Sequence, residues 1–253
     1  MRQTLRRILR RDGAAPTEAP PDPDAVTIDP ADRAILDRAR PYTMTSEQRL
    51  LALVDAVRYV VARDLPGAFA ECGVWRGGSV LAMIGTLQEL GVSDRDIHLY
   101  DTFEGMTAPT EHDTSPLDPP ALATWQQAEG EGERPWNDLF DPETFNEETV
   151  RATLLETGYP AERLHLHRGP VEETLPRQAP GPLALLRLDT DWYKSTLHEL
   201  QHLYPLLADG GILIVDDYGH WQGARRAVDE YFAGAPPLLL NRIDYTGRIA
   251  VKH

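Results

Sequence analysis

Four short apolar runs in this chain meet acids. Ala68–Val74 carries Glu71, Ile97–Tyr100 ends at Asp101, Leu183–Leu188 ends at Asp189, and Ile212–Val215 ends at Asp216-Asp217. Stretches with helical spacing follow three of them: Val80–Leu90, Ser195–Leu207 and Gly223–Phe232. Strands that alternate with helices build a mostly parallel sheet covered on both faces. Ligands of such sheets lie beyond the carboxyl ends of the strands. The pattern therefore predicts an α/β fold with its chemistry gathered at one rim, where all five acids fall.

The first run leads into Gly73-Val74-Trp75-Arg76-Gly77-Gly78-Ser79. This reads as strand, glycine turn, helix. Such a turn lets a ligand approach the backbone, and the helix N-terminus favours polar or anionic groups. The glycine spacing is not the GxGxxG of dinucleotide binders. Asp101, ending the next strand, is placed to accept hydrogen bonds from two vicinal ribose hydroxyls, which suits an adenosine-bearing cofactor. Its alternative is to cap the next turn. Glu71 orients the turn or contacts a cofactor ammonium; its alternative is a buried acid bonded to turn amides.

Asp189, Asp216 and Asp217 form a second group at the ends of adjacent strands. Three carboxylates in one place repel unless a cation or a proton compensates. A hard divalent ion with oxygen ligands is the economical answer, Mg²⁺ first and Ca²⁺ or Mn²⁺ next; the alternative is that the acids cap helices. His220, just beyond, is a candidate proton acceptor or a helix-entry contact. His98, His165 and His167 read as packing or surface residues, and Cys72 as a small packing residue. The chain has no Ser-His-Asp pattern and no GxxxxGK[ST].

A net charge of −15 argues against nucleic acid or an anionic membrane as partner. The single cysteine forbids an intrachain disulfide and suits a reducing compartment, the cytoplasm. No apolar run approaches the roughly 20 residues that span a bilayer. Residues 1–45 read as an N-terminal arm and linker. Arg2, Arg6, Arg7, Arg10 and Arg11 lie in a stretch that is either a frayed terminus or an arm packing on another subunit, and Gly13–Pro30 is irregular. Residues 46–253 read as a single domain, begun by a helix capped at Thr45 or Ser46. Within it, about 105–146 crowds prolines, acids and aromatics. Trp125, Trp136, Phe140 and Phe145 give that insertion apolar surface to bury, so it is expected to be a lid over a pocket; otherwise it is a solvated acidic loop.

Taken together, Glu71–Ser79, Tyr100–Met106, Leu188–Thr196 and Val215–Gly219 resemble the macrocin O-methyltransferase family in order and spacing. The resemblance implies a Rossmann-like, seven-stranded methyltransferase sheet with an antiparallel last strand. It implies S-adenosylmethionine as cofactor at Glu71, Gly73, Gly77, Ser79 and Asp101, and a metal on Asp189, Asp216 and Asp217. It implies methylation of a sugar hydroxyl of an antibiotic glycoside. In such a reaction Asp189 or His220 is the candidate to take the proton, and Asp191 is a candidate outer acid. A homo-oligomer is expected. The competing readings are a catechol acceptor, an NAD(P)-dependent oxidoreductase, and a sensor that binds the cofactor without turnover.

Overall fold

The structure, a computed structural model, describes residues 27–253; the arginine-rich arm lies outside them. Helix α1 (Pro30–Ala39) starts where the Asp29 carboxylate accepts the Ala31 amide at 2.9 Å. Its Leu36 and Ala39 are fully buried in the main core. The folded body thus begins before residue 46, because this helix has an apolar face to bury. A 3₁₀ turn, Arg40–Tyr42, leads to α2 (Glu47–Ala62), capped by Ser46. Then follow β1 (Ala68–Cys72), α3 (Gly78–Glu89), β2 (Ile97–Asp101), α4 (Ala121–Glu131), α5 (Glu147–Leu155), β3 (Leu164–Arg168) and α6 (Val171–Thr174). The chain ends with β4 (Leu183–Leu188), α7 (Tyr193–His202), β5 (Leu207–Val215), α8 (Gln222–Ala233), β6 (Asn241–Arg242) and β7 (Arg248–Val251).

The seven strands form one sheet in the order β3-β2-β1-β4-β5-β7-β6. The first five are parallel, and β7 runs antiparallel between β5 and β6. This is the expected fold class. The chain moves outward from β1 to β3 and then returns to the other side of β1 with β4. The order therefore reverses between β1 and β4, which opens a crevice at their carboxyl ends. Alternation along the strands divides the core. Phe69, Leu99, Leu185 and Ile214 face α1–α3, while Ala70, Leu186, Leu213 and Val215 face α7 and α8.

Two elements differ from the sequence reading. The apolar spacing over Ser195–Leu207 suggests one long helix, but α7 stops at His202. Pro205 lacks the amide to continue it, and β5 takes Leu207–Gly211 into the sheet, with Gly210 in a left-handed conformation (φ 83°). The insertion contains a helix, α4, that the crowding of prolines and acids hides. The insertion is also pinned from below. Asp113, 1% exposed, accepts the Tyr193 amide at the start of α7 (2.7 Å) and the Thr110 amide (2.6 Å). Among the described residues, no helix is long and apolar enough to cross a membrane.

Candidate active site

Non-glycine residues in the left-handed region are uncommon. Three of them stand just beyond strand ends at this crevice: Trp75 (φ 48°) after β1, Phe103 (φ 54°) after β2 and Asp191 (φ 64°) after β4. Such strain persists where surrounding contacts enforce it. Here Asp101 supplies those contacts for two of the turns. Its Oδ2 accepts the amides of Val74 (2.7 Å) and Trp75 (2.9 Å), and its Oδ1 accepts that of Phe103 (2.8 Å). Burial raises its pKa, and these amides oppose the rise. Asp101 thus ties the glycine turn to β2 and still lines the cavity; Oδ2 is filled by its two amides, and Oδ1 keeps a second lone pair for a ligand donor.

The glycines make room for protein. A Cβ on Gly73 (φ 82°) would strike the Asp189 carbonyl, so β1 and β4 can approach only through a glycine. At Gly78 it would meet Thr43 and the Tyr42 carbonyl, each at 2.6 Å, so the segment before α2 lies directly on the start of α3. Gly77 (φ 89°) caps α3 and faces Leu154 and Val150.

The strand register builds the charged floor. Glu71 on β1 pairs with Arg187 on β4, and both are buried. Arg187 Nη1 donates to Glu71 Oε1 and to Asp189 Oδ2 (2.7 Å), and its Nη2 donates to Asp216 Oδ1 (2.6 Å) and Thr45 Oγ1 (3.0 Å). Arg49, from α2, bonds the other oxygen of Asp216 and also Asp244 (3.0 Å). Burial pushes the Glu71 carboxyl up to about 7 against the pull of Arg187. Arg187 keeps its proton, because Asp189 and Glu71 outweigh the cost of burying it.

Asp189, Asp216 and Asp217 do converge, with one oxygen from each within 4.8 Å of the others. The arginines answer part of their charge, yet acids remain in excess. Asp217 Oδ2 is buried without a partner among the described residues. Asp191 and Asp217 face one another. Burial and the charge of Asp189 raise the Asp191 pKa to about 7 although its contact with Asp217 opposes the rise, and burial with the charges of Asp191 and Asp189 raises that of Asp217. Convergent hard oxygens, an orphaned buried carboxylate oxygen and a surplus of negative charge fit a hard divalent cation.

Above this floor lies a cavity of about 500 Å³. Its lining includes Ser79, Asp101, Asp189, Asp191, Asp216, Asp217 and His220, but not Glu71 or Gly77. Its wall is aromatic. Trp136 of the insertion sits 5.9 Å from Trp192, which is 4.9 Å edge-on from Trp221. His220 is held from both sides. Its Nε2 lies 2.6 Å from Asp118 of the insertion and its Nδ1 lies 3.1 Å from the Tyr245 hydroxyl. Asp191, by contrast, forms no ion pair among the described residues and lines the cavity directly.

The sequence reads Asp191 as an outer acid, gives no role to Arg187 or Arg49, and offers Thr45 only as a helix cap, a place that Ser46 takes. One signal was visible: Arg187 interrupts an otherwise apolar buried run, and a buried arginine needs acids. The contacts of Arg49 and Thr45, which lie far away in sequence, left no such trace.

The family model for Macrocin-O-methyltransferase (TylF) matches residues 28–249. Demethyldecarbamoylnovobiocin O-methyltransferase of Streptomyces niveus is 32% identical over 195 residues, 77% of this chain and 69% of that protein. A tetracenomycin-C 4'-O-methyltransferase of Streptomyces olivaceus, whose name specifies a dimethoxy-rhamnosyl substrate, is 32% identical over 237 residues, 91% of this chain and 82% of that protein. The solved O-methyltransferase NovP superimposes with a TM-score of 0.69 and 31% identity, covering 83% of this chain and 82% of that one.

Proposed function

From the premise that this chain belongs to the macrocin O-methyltransferase family and is an O-methyltransferase, we propose that it methylates a sugar hydroxyl of a glycosylated natural product in antibiotic biosynthesis. S-adenosylmethionine is the proposed donor, and a divalent ion, Mg²⁺ first and Ca²⁺ or Mn²⁺ next, is proposed on Asp189, Asp216 and Asp217. The observation that carries this reading is one cavity lined by both Asp101 with its turn and the three converging acids. The name of the Streptomyces olivaceus relative supports a sugar as acceptor. Membership of the family sets aside the oxidoreductase and sensor readings.

When bound, the sulfonium supplies an electrophilic methyl and the ion supplies Lewis acidity that lowers the pKa of a nearby hydroxyl. The chain's residues do the rest. Ser79, Asp101 and Gly73 hold the donor, while Glu71 and Gly77 support the turn from outside the cavity. The Trp136–Trp192–Trp221 wall orients the apolar face of a sugar ring. The insertion, with Leu139 and Phe140 on the cavity, acts as a lid that excludes water. The proton goes to the Asp191 carboxylate. Asp189 is less suited because Arg187 engages its Oδ2, and His220 because both ring nitrogens are occupied. The protein is proposed to work as a cytoplasmic homo-oligomer, which light scattering of the purified protein would test for assembly.

Calorimetric titration with S-adenosylhomocysteine, with and without Mg²⁺, tests the class; absence of binding by a folded sample would refute it. Asp191→Asn is expected to lower kcat by about 100-fold or more with product affinity unchanged, and an equal loss in His220→Gln alone would move the base to His220. If Asp189→Asn keeps both metal affinity and turnover, the metal assignment is wrong. The aromatic wall would also stack on a planar ring, so a catechol is the second acceptor class. Turnover of catechols but not glycosides would select it.

A further inference from the structure

We propose that Arg187 is a positioning residue that holds Asp189 and Asp216 in ligand geometry before any ion arrives, and that Thr45 locks it in place. The proposal rests on the metal reading above. A buried side chain with four hydrogen-bond partners has little freedom. Arg187 is 2% exposed, and its two terminal nitrogens are divided among Glu71, Asp189, Asp216 and Thr45. Those partners come from β1, the end of β4, the end of β5 and the segment before α2. One planar guanidinium therefore sets the separation of two acids on neighbouring strands. Glu71 serves as its anchor on the far side.

The arrangement also reaches the mouth of the cavity. Thr45 closes the segment whose Tyr42, Thr43 and Met44 line the cavity and which lies against Gly78. The same segment carries Ser46, whose hydroxyl donates to Asp244 (2.7 Å), itself an acceptor for Arg49. Both arginines on Asp216 are thus braced by the turn that opens α2. The metal acids and the acceptor-facing segment share one hydrogen-bonded frame.

A charged neighbour could act in two ways, and they predict opposite results. As a mere cation, Arg187 would repel an incoming ion, and a substitution that keeps the charge would leave affinity unchanged. As a positioning group it acts through geometry, and Arg187→Lys, charged but unable to bridge three acids, weakens binding. Groups that orient metal ligands typically change affinity 10- to 100-fold when altered.

The test is binding of Mn²⁺ alone to the full chain, read from the free-ion electron paramagnetic resonance signal, with S-adenosylhomocysteine affinity and thermal midpoint measured in parallel. Expected are Mn²⁺ binding weakened at least tenfold in R187K and about threefold in Thr45→Val, which removes a single hydroxyl. Product affinity should stay within twofold of the parent. Should R187K fail to fold, T45V carries the decision. Unchanged Mn²⁺ affinity in T45V, or in a folded R187K, overturns the proposal. Absence of Mn²⁺ binding by the parent protein overturns the metal reading itself, and this inference with it.

Discussion

The floor of the cavity and its cover are built on different physical terms. The floor is charge on rigid strands: Glu71 and Arg187 are paired by the register of β1 and β4, and Asp189 and Asp216 stand one step beyond the ends of β4 and β5. The cover is aromatic surface on loops and one helix. Trp136 and Phe145 meet the body at the rings of Trp192 (5.9 Å) and Phe103 (6.5 Å), Trp125 and Phe140 pack on those two, and the insertion is further held by the hydrogen bond from Trp75 Nε1 to the Leu139 carbonyl (2.9 Å) and by the buried Asp113. A strand register admits no half-step, so the floor has one geometry. Ring contacts are individually weak and shift with little loss. Under the proposed function, the difference gives stability and ion geometry to the floor and choice of acceptor to the cover.

Breaking the floor should be costly. Arg187→Met leaves Glu71 and Asp216 buried with less compensation, and the expected loss is about 3–5 kcal/mol in urea unfolding. A loss under 1 kcal/mol would mean that protons already neutralise these acids. Next in size is a buried tie between the body and the cover. Asp113→Ala removes the acceptor for the first amide of α7, at an expected cost of about 2 kcal/mol. Part of that should also appear as faster proteolysis within 105–146. Trp136→Ala should separate the two regions most clearly. Global stability is expected to fall by no more than about 1 kcal/mol, while KM for a glycoside acceptor rises roughly tenfold. If kcat falls instead with KM unchanged, the cover completes the catalytic geometry and does not select the acceptor.

The same contrast explains what was readable from sequence. Strand-end acids were legible because a short apolar run that stops at an acid has few structural outcomes, and Asp101, Asp189, Asp216 and Asp217 all reach the rim. Glu71 was legible as an acid in the turn but not as the partner of Arg187, because that pairing depends on which strands become neighbours. β4 lies beside β1 only through the crossover, more than a hundred residues later in the chain. The start of β5 was hidden because Leu207–Gly211 continues a helical spacing and ends in glycines. Helix α4 was hidden because its flanks, Pro119-Pro120 and Gly130 to Gly132, read as loop. The role proposed for Asp191 depends on a left-handed backbone and on its having no ion pair among the described residues, and neither is written in local sequence.

The sheet has a third region that sharpens the comparison, since it stacks titratable imidazoles on strands with a single acid, Asp96, at 2.9 Å from His165. On the edge formed by β2 and β3, the ring of His98 stacks on His165 at 4.5 Å, and its Nδ1 lies 3.0 Å from His167 Nε2. Burial, together with the neighbouring imidazoles, lowers the His98 pKa to about 4. The folded protein therefore keeps this ring neutral. The unfolded chain takes up a proton near its ordinary value of about 6.5. Between those values the unfolded state binds more protons, so this contribution is fully present above about 6.5 and is lost as pH falls toward 4. Because the ring is partly exposed, the expected size is about 1 kcal/mol. Buried Glu71 and Glu199, raised to about 7 and about 8, act in the opposite sense and favour the fold at lower pH. The readable quantity is thus the difference between the parent and His98→Leu, measured by urea unfolding from pH 4.5 to 7.5. That difference should change with pH by about 1 kcal/mol, the parent losing ground as pH falls. A flat difference would mean that the ladder titrates as freely as a surface histidine, leaving the acids of the floor as the groups that set the pH response of the fold.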